Sequence, residues 1–167
     1  IMLFRMGDFY ETFDEDARLT SGILGIALTK RANGAAASVP LAGFPHHSLE
    51  QHLHKLLKAG HRVAICEQVE DPKLAKGIVK REVVEVLSPG TAISDRYLEQ
   101  NENNYLCAVV LENHKCGVAV LDHSTGEFQT CSRNQSEFLS LIKQFNVSEV
   151  IIPEDQENDL RLLLQGE

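Results

Sequence analysis

Apolar residues in the first half of the chain recur with the spacings of short strands and amphipathic helices. IMLFRM predicts a buried strand, and MGDFYETF then predicts a helix that begins at Asp8, where Glu11 completes a capping box. Gly22 and Gly25 are expected to end this helix, and the small residues of LTKRANGAAASVP predict a loop. The chain is therefore expected to open as a strand, a helix and a loop.

A second short strand, VPLAGF, precedes a helix with a stronger signal. In SLEQHLHKLLKAG the leucines recur at helical spacing, Ser48 and Gln51 form a capping box, and Gly60 stops the helix. HRVAICEQV and IVKREVVEVL predict two further strands, with EDPKLAKG as the turn between them. These elements indicate a mixed-sheet α/β domain, expected to span residues 1–98.

The pattern changes after a polar segment, of which residues 99–104 are expected to be a linker. YLCAVVLE, CGVAVLD and EFQTCS predict three strands, followed by a helix capped at Asn134, the strand VSEVIIP and a last helix. A three-strand antiparallel meander that leads to a helix and a strand opens a ribonuclease-H-like α/β domain. Residues 105–167 are therefore predicted to be the start of such a domain, and both chain ends are expected to lie within a longer polypeptide.

The composition is that of an ordinary globular protein, with 43% hydrophobic and 24% charged residues. No apolar run is long enough for a transmembrane helix, and no basic-then-apolar opening marks a signal peptide. The four cysteines form no CxxC pair and are expected to be buried and reduced, which suits a cytoplasmic protein.

The net charge of −8 is distributed unevenly along the chain. Residues 1–98 carry 12 basic and 12 acidic side chains, whereas residues 99–167 carry 4 and 12. Between residues 26 and 81 there are 9 basic and 4 acidic side chains, a net charge of +5. This stretch could face phosphate, although a solvated basic surface is the simpler alternative.

The segment MGDFYETF contains the candidate chemistry. Phe9 and Tyr10, in the first turn of the predicted helix, would project from the domain, where aromatic rings stack on bases or wedge between base steps. A mispaired base is weakly stacked, so an intruding ring costs less free energy there than in a regular duplex. Glu11 could accept a hydrogen bond from a base NH or from a protonated base. The alternative is that Phe9 and Tyr10 are core aromatics and Glu11 only a capping residue.

Longer stretches of the chain resemble a known family. FRMGDFYETF, LTKR, VPLAGFPHHSLEQHLHKLLKAGHRVAICEQVEDP and VKREVVEVLSPGTAISD resemble, in the same order, the mismatch-recognition domain of the MutS family of DNA mismatch repair proteins. The resemblance covers residues 1–98, and residues 105–167 are more loosely similar to the start of the family's connector domain. It implies that the family's Phe-x-Glu motif lies on Phe9, Tyr10 and Glu11. Phe9 would then wedge beside the mispaired base, and Glu11 would accept a hydrogen bond from it.

The same resemblance implies supporting roles at less specific positions. Lys30 and Arg31 would lie near the DNA backbone, with surface solvation as the alternative, and Tyr10 would belong to the supporting residues. The chain departs from the family at His46 and His47, where Tyr-His is common, which leaves open any contact made by that aromatic position.

For partners, the resemblance implies double-stranded DNA with mispairs or small loops, a homodimer of the full-length protein, and repair proteins that dock on the connector domain. It also implies a cytoplasmic, nucleoid-associated location. No GxxxxGK[ST] phosphate loop occurs in the 167 residues, so the ATP and Mg²⁺ of the family's ATPase are expected in a C-terminal part outside this chain. The chain itself is expected to be no enzyme, with no catalytic residue, metal or cofactor.

Two other functions stay open at this point. A metal-dependent nuclease needs a carboxylate inside the first strand of a ribonuclease-H-like domain, but YLCAVVLE has only Glu112 at its end, and Asp122 lies on the next strand. A catalytically inactive protein-interaction module is favoured by the charge of −8 on residues 99–167. The histidines between residues 46 and 61 are expected to face solvent rather than to bind zinc.

Overall fold

The computed structural model describes residues 1–33, 36–70, 77–92 and 103–165. The chain forms two compact units, Ile1–Ser88 and Pro89–Glu167. Each unit combines one β-sheet with helices, which confirms the predicted two-part α/β fold class. Within the described residues no helix is long and apolar enough to cross a membrane.

The first unit is built on a six-stranded mixed sheet that is accompanied by two helices. Its strands are β1 (Met2–Met6), β2 (Phe9–Phe13), β3 (Thr29–Asn33), β4 (Ala36–Pro45), β5 (Val63–Gln68) and β6 (Arg81–Leu87), and its helices are α1 (Asp14–Leu24) and α2 (Leu49–Lys58). The strand order is β3-β4-β2-β1-β5-β6, in which β1 and β5 run parallel and all other neighbours run antiparallel. Strand β2, which carries the candidate motif, is therefore central.

Helices α1 and α2 cover one face of this sheet. In α2, leucines at helical spacing form the buried stripe, and the half-buried His52 packs its ring on Phe44 with 4.4 Å between ring centroids. Burial, aided by the nearby Lys55, lowers the pKa of His52, so the expectation that this histidine faces solvent is wrong. The strand side chains buried on the same face are Leu3, Tyr10, Thr12, Ala42, Phe44, Val63 and Ile65.

The predicted helix at MGDFYETF is wrong: the segment is a β-hairpin. Met6 pairs with Phe9, and the two-residue loop between them has Gly7 at a left-handed φ of 61°. A glycine at the first loop position meets the steric requirement of such a tight turn. Asp8 therefore caps no helix, because α1 begins only at Asp14. Gly25 does end α1, as predicted, with a left-handed φ of 68°, whereas Gly22 lies inside the helix.

Two further local predictions also differ from the structure. The stretch predicted as a loop after Leu28 contains strand β3 and the start of β4. Helix α2 is found where it was predicted, but Ser48 makes no side-chain capping hydrogen bond, because a turn of 3-10 helix at His46–Ser48 precedes it. The predicted turn EDPKLAKG lies largely outside the described residues.

The second unit follows the predicted order of elements. Its strands are β7 (Tyr105–Glu112), β8 (Lys115–Asp122), β9 (Glu127–Asn134) and β10 (Val147–Ile151), and its helices are α3 (Phe138–Gln144) and α4 (Glu157–Gln165). Strands β7, β8 and β9 form the antiparallel meander, and β10 returns through α3 to pair parallel with β7. The Glu137 carboxylate accepts a hydrogen bond from the Asn134 backbone N–H at 3.1 Å, one arm of a capping box at the predicted cap residue.

The core of the second unit lies on one face of its four-stranded sheet. Alternate residues of β7 and β8 are buried there, together with Phe138 of α3 and Leu160 of α4. The predicted burial of the cysteines is confirmed for Cys66, Cys107 and Cys116, whereas Cys131 is half-buried, and all four are free thiols. Burial raises the pKa of Cys107 to about 11.

Residues 89–92, which the sequence assigned to the first domain, pack within the second unit. The Gly90 N–H donates to the Glu149 carboxylate at 3.0 Å. The Asn104 side-chain amide donates to the carbonyl oxygens of Pro89 and Ala92 at 2.8 and 3.2 Å. A Cβ atom on Gly90 would lie 2.9 Å from Cβ of Glu149, closer than such atoms approach in folded proteins. The chain thus enters the second unit through a tightly packed glycine.

We expect Gly90→Ala to lower the free energy of unfolding of the second unit by about 1–3 kcal/mol, the usual cost of forcing a methyl group into a packed site. Urea unfolding of the chain followed by circular dichroism measures this. Gly22→Ala is the matched control, because an added Cβ meets nothing within 4 Å and alanine favours a helix interior. Unchanged unfolding of Gly90→Ala would show that residues 89–92 are not docked as described.

Candidate nucleic-acid interface

Phe9 and Glu11 lie on the face of the first sheet that α1 and α2 leave open. They are two residues apart on β2, so their side chains share a face, and their partners on β4 are Pro45 and Gly43. Phe9 is 47% exposed, which is unusual for a phenylalanine beside a well-packed core. The hairpin thus presents an aromatic ring directly after its turn, with a carboxylate one step further along the strand.

The hairpin turn before Phe9 is tied to the end of β4. The Asp8 carbonyl oxygen accepts a hydrogen bond from the His46 backbone N–H at 2.9 Å. Nδ1 of the same histidine lies 3.1 Å from that oxygen, so the tautomer protonated at Nδ1 donates a second hydrogen bond. His46 is the position at which the chain departs from the Tyr-His of its family resemblance. Here its ring holds the turn that carries Phe9.

Tyr10 points in the opposite direction from its two neighbours. It is only 3% exposed and packs against Phe44 with 6.1 Å between ring centroids. Its hydroxyl donates a hydrogen bond to the Glu67 carboxylate on β5, and the Arg5 guanidinium lies 5.6 Å from the centre of its ring. Burial, the hydrogen bond to Glu67 and the charge of Glu67 raise the pKa of Tyr10 to about 12. The structure therefore places Tyr10 in the core, as an anchor for β2.

Glu11 forms an ion pair with Arg31 of β3. The Arg31 Nη1 atom donates to Glu11 Oε2 at 3.2 Å, and the side chains are 54% and 21% exposed, respectively. Arg31 pairs with Val39 on β4, which lies on the same face as Gly43 and Pro45. Phe9, Glu11 and Arg31 therefore share the open face of the sheet, and we call these three residues the open-face triad.

Lys30 lies on the other face at the same edge of the sheet. It pairs with Pro40, whereas the β4 residues on the face of Glu11 are the alternate ones, Val39 and Gly43. The two basic residues that the sequence grouped together are thus separated by the alternation of a strand, because β3 replaces the expected loop. Of the two, only Arg31 joins the open-face triad.

Known protein families match nearly the whole length of the chain. Residues 1–96 match the family described as MutS domain I, and residues 104–166 match MutS domain II. The chain belongs to the MutS family. It is 50% identical over 160 residues to the DNA mismatch repair protein MutS of Flavobacterium johnsoniae, an alignment that covers 96% of this chain and 18% of the relative.

Two further MutS relatives give the same result. The chain is 55% identical over 151 residues to DNA mismatch repair protein MutS of Phocaeicola vulgatus, which covers 90% of this chain and 17% of that protein. It is 49% identical over 166 residues to the MutS of Bacteroides thetaiotaomicron, an alignment that covers 99% of this chain and 19% of that protein. The chain spans about a fifth of the length of these MutS relatives, so they extend well beyond both of its units.

Two residues that the sequence did not single out, Gly43 and Glu67, and one whose role it left open, His46, help to build the candidate site in MutS domain I. Gly43 lies opposite Glu11, His46 holds the turn, and Glu67 anchors Tyr10. A glycine inside a strand often marks a close approach of neighbouring groups, so Gly43 carried a usable signal. The roles of His46 and Glu67 depend on strand pairing between distant segments, which no local pattern reveals.

Asp122, the buried carboxylate on the second strand of MutS domain II, holds a turn. Asp122, at the end of β8, is fully buried, and its Oδ1 atom accepts hydrogen bonds from the Ser124 backbone N–H at 2.9 Å and hydroxyl at 2.7 Å. Burial alone would raise its pKa, but the hydrogen bonds from Ser124 and Thr125 outweigh it, and the pKa is lowered. Among the described residues no three His, Cys, Asp or Glu side chains gather as a metal-binding group. Asp122 closes the β8–β9 turn.

We expect Tyr10 to ionise late in an alkaline titration followed by phenolate absorbance. Its folded-state pKa of about 12 exceeds the ordinary value of 10.0, so the neutral phenol is favoured in the folded protein. The contribution of the neutral Tyr10 phenol to the stability of the folded protein is complete below pH 10 and is lost as the pH rises towards 12. Tyr10→Phe should remove this late ionisation, and Glu67→Gln should move it to lower pH.

Tyr105→Phe serves as the control for this titration. The pKa of Tyr105 is also raised, mainly by its hydrogen bond to Glu127, but this pair lies in the second unit. The late ionisation should survive in this variant. An ionisation near pH 12 that persists in Tyr10→Phe would belong to another tyrosine and would contradict the pKa assigned to Tyr10.

Proposed function

We propose that this chain recognises mismatched or unpaired bases in duplex DNA and thereby initiates DNA mismatch repair, with Phe9 as an aromatic wedge and Glu11 in contact with the mispaired base. The observation that carries the proposal is the exposed Phe9 ring beside the turn of a rigidly paired hairpin, with the Glu11 carboxylate on the same face. The mismatch-repair names of its MutS relatives support the same function.

The wedge works through the deformability of DNA. Inserting an aromatic ring between base steps costs a few kcal/mol of lost stacking, and a mispair has already lost part of it. The hairpin adds no large entropic cost of its own, because β2 is hydrogen-bonded on both sides before DNA arrives. Selectivity then arises from differences in the free energy needed to deform each DNA site rather than from contacts that read individual bases.

Glu11 supplies the polar part of the recognition. A carboxylate is repelled by phosphates, but it accepts a hydrogen bond from a base NH that a mispair leaves without a partner. Contacts to phosphate position the protein, and Arg31 is the basic residue that shares the face of Phe9 and Glu11. Lys30, on the opposite face of β3, contributes positive charge to the same sheet edge.

The rest of the proposed function concerns the full-length protein. The first unit belongs to the mismatch-reading domain, predicted over residues 1–98 although 89–92 pack within the second unit. A linker predicted at 99–104 leads to residues 105–167, the start of a ribonuclease-H-like connector domain that offers a surface to repair partners. The protein acts as a homodimer in the cytoplasm, associated with the nucleoid. ATP and Mg²⁺ are assigned to a C-terminal part of the full-length protein, as the resemblance to the MutS family implies, and the relatives are about five times as long as this chain.

The test compares full-length wild-type protein with Phe9→Ala, each titrated into a labelled duplex with one G·T mispair and into its paired counterpart at one salt concentration. We expect the preference for the mispair to fall by about ten-fold, the scale of 1–3 kcal/mol on which a single base pair is discriminated. Binding to the paired duplex should change little, because it depends mainly on phosphate contacts.

Phe128→Ala is the matched control for the wedge. Phe128 is 63% exposed on strand β9 of the second unit, so the substitution removes a similarly exposed ring from a different place. Its mispair preference should equal that of the wild type. A Phe9→Ala protein that unfolds at the wild-type temperature and keeps its preference would contradict the wedge assignment.

A further inference from the structure

The Glu11–Arg31 ion pair joins two strands that are not neighbours. Strand β4 lies between β2 and β3, and Glu11 pairs with Gly43 of β4 whereas Arg31 pairs with Val39, so the two residues are separated by two strand spacings of about 4.8 Å and also by four positions along β4. The carboxylate and the guanidinium nevertheless approach to 3.2 Å. The two side chains therefore lean towards each other across the surface of β4.

Gly43 leaves room for the Glu11 side chain on β4. It lies directly opposite Glu11, and a Cβ atom built on it would be 3.4 Å from Glu11 Cγ and 2.9 Å from the Tyr10 carbonyl oxygen. The Glu11 side chain therefore packs against bare backbone at position 43, where any other residue would crowd the Tyr10 carbonyl oxygen. This explains why Glu11 is only 21% exposed although it is on the open face of the sheet.

The pair has two physical effects on Glu11. It fixes the direction of a carboxylate that would otherwise rotate freely, and it places a positive charge beside a negative one on a surface that meets phosphates. An exposed ion pair contributes little in water, but its effect grows when a partner surface excludes water from both groups. Both effects act when DNA covers the open-face triad.

We propose that Arg31 is a positioning residue for Glu11, holding its carboxylate in one direction on the open face of the sheet, and that Arg31 thereby contributes to mispair preference rather than only to overall affinity. This inference rests on the proposed contact between Glu11 and the mispaired base. The alternative is that Arg31 acts only as a phosphate contact, which would weaken binding to paired and mispaired duplexes equally.

Lys30 provides a matched control for this distinction. It is adjacent to Arg31 on the same edge strand and carries the same charge, but it lies on the opposite face and away from Glu11. Removing either charge weakens the attraction to phosphate, whereas removing only that of Arg31 also releases Glu11. Comparing the two variants therefore separates the effect of losing a positive charge from the effect of losing the contact with Glu11.

The experiment measures the ratio of affinities for a G·T duplex and its paired counterpart, at one salt concentration, in the full-length protein. The variants are Arg31→Met, Lys30→Met, Glu11→Gln and the double variant Arg31→Met with Glu11→Gln. We expect Arg31→Met to lower the ratio about three-fold, the upper scale of an exposed ion pair, and Lys30→Met to leave it unchanged. In the Glu11→Gln background, Arg31→Met should no longer alter the ratio.

Arg31→Lys gives a rescue test that a purely structural role would not pass. The observed contact is a single N–H donor at 3.2 Å, which an ammonium group also provides, so most of the preference should return. Equal thermal unfolding midpoints for all variants exclude damaged folding as the cause of a lowered ratio.

Three outcomes would overturn the proposal. Arg31→Met could match Lys30→Met in its ratio, its effect could persist in the Glu11→Gln background, or Arg31→Lys could restore none of the ratio. If these occur while Glu11→Gln itself lowers the preference, only the positioning role fails. If Glu11→Gln and Phe9→Ala both leave the preference intact, the proposed function of the hairpin fails as well.

Discussion

Strand β2 is hydrogen-bonded along both edges, to β1 and to β4, and the candidate side chains on it take their directions from that pairing. Successive side chains on a strand point to opposite faces, so Phe9 can face outward only while Tyr10 faces inward. The hydrogen bond of Tyr10 to Glu67 and its packing on Phe44 stabilise the register that leaves Phe9 and Glu11 on the open face. A slip of one residue would bury a carboxylate without a partner, which is strongly unfavourable.

The sequence predicted best those elements whose signals are local. The leucine spacing of α2 and the alternation of β7 and β8 each depend on residues within one element, and both were found as expected. The hairpin at Phe9 was missed because Asp8 and Glu11 happen to have the spacing of a helix cap. Its structure depends on the pairing of β2 with β1 and also with β4, whose paired residues lie 28 to 36 positions further along the chain. In this segment, pairing with other strands overrode the local signal for a helix.

The residues of the candidate site could be nominated from the sequence, whereas their geometry could not be predicted. Resemblance to the MutS family singled out Phe9 and Glu11 even though the predicted secondary structure around them was wrong. The contact between Glu11 and Arg31 requires the strand order β3-β4-β2 and a register that places their β4 partners, Gly43 and Val39, on the same face. Neither follows from spacing along the chain. Likewise, the packing of residues 89–92 depends on Asn104, a polar residue in a segment predicted as linker.

The alternation of β2 also bears on how sequence variants of this protein would be interpreted. Phe9 and Tyr10 are adjacent in sequence and similar in chemistry, yet they belong to different physical environments. Loss of the buried Tyr10 ring leaves a cavity, so it reduces the amount of folded protein in the cell and becomes more harmful as temperature rises. Loss of the exposed Phe9 ring leaves a folded and abundant protein, and under the proposed function its repair defect would not depend on temperature. Neighbouring codons would therefore produce similar repair phenotypes through different causes, which protein abundance alone would distinguish.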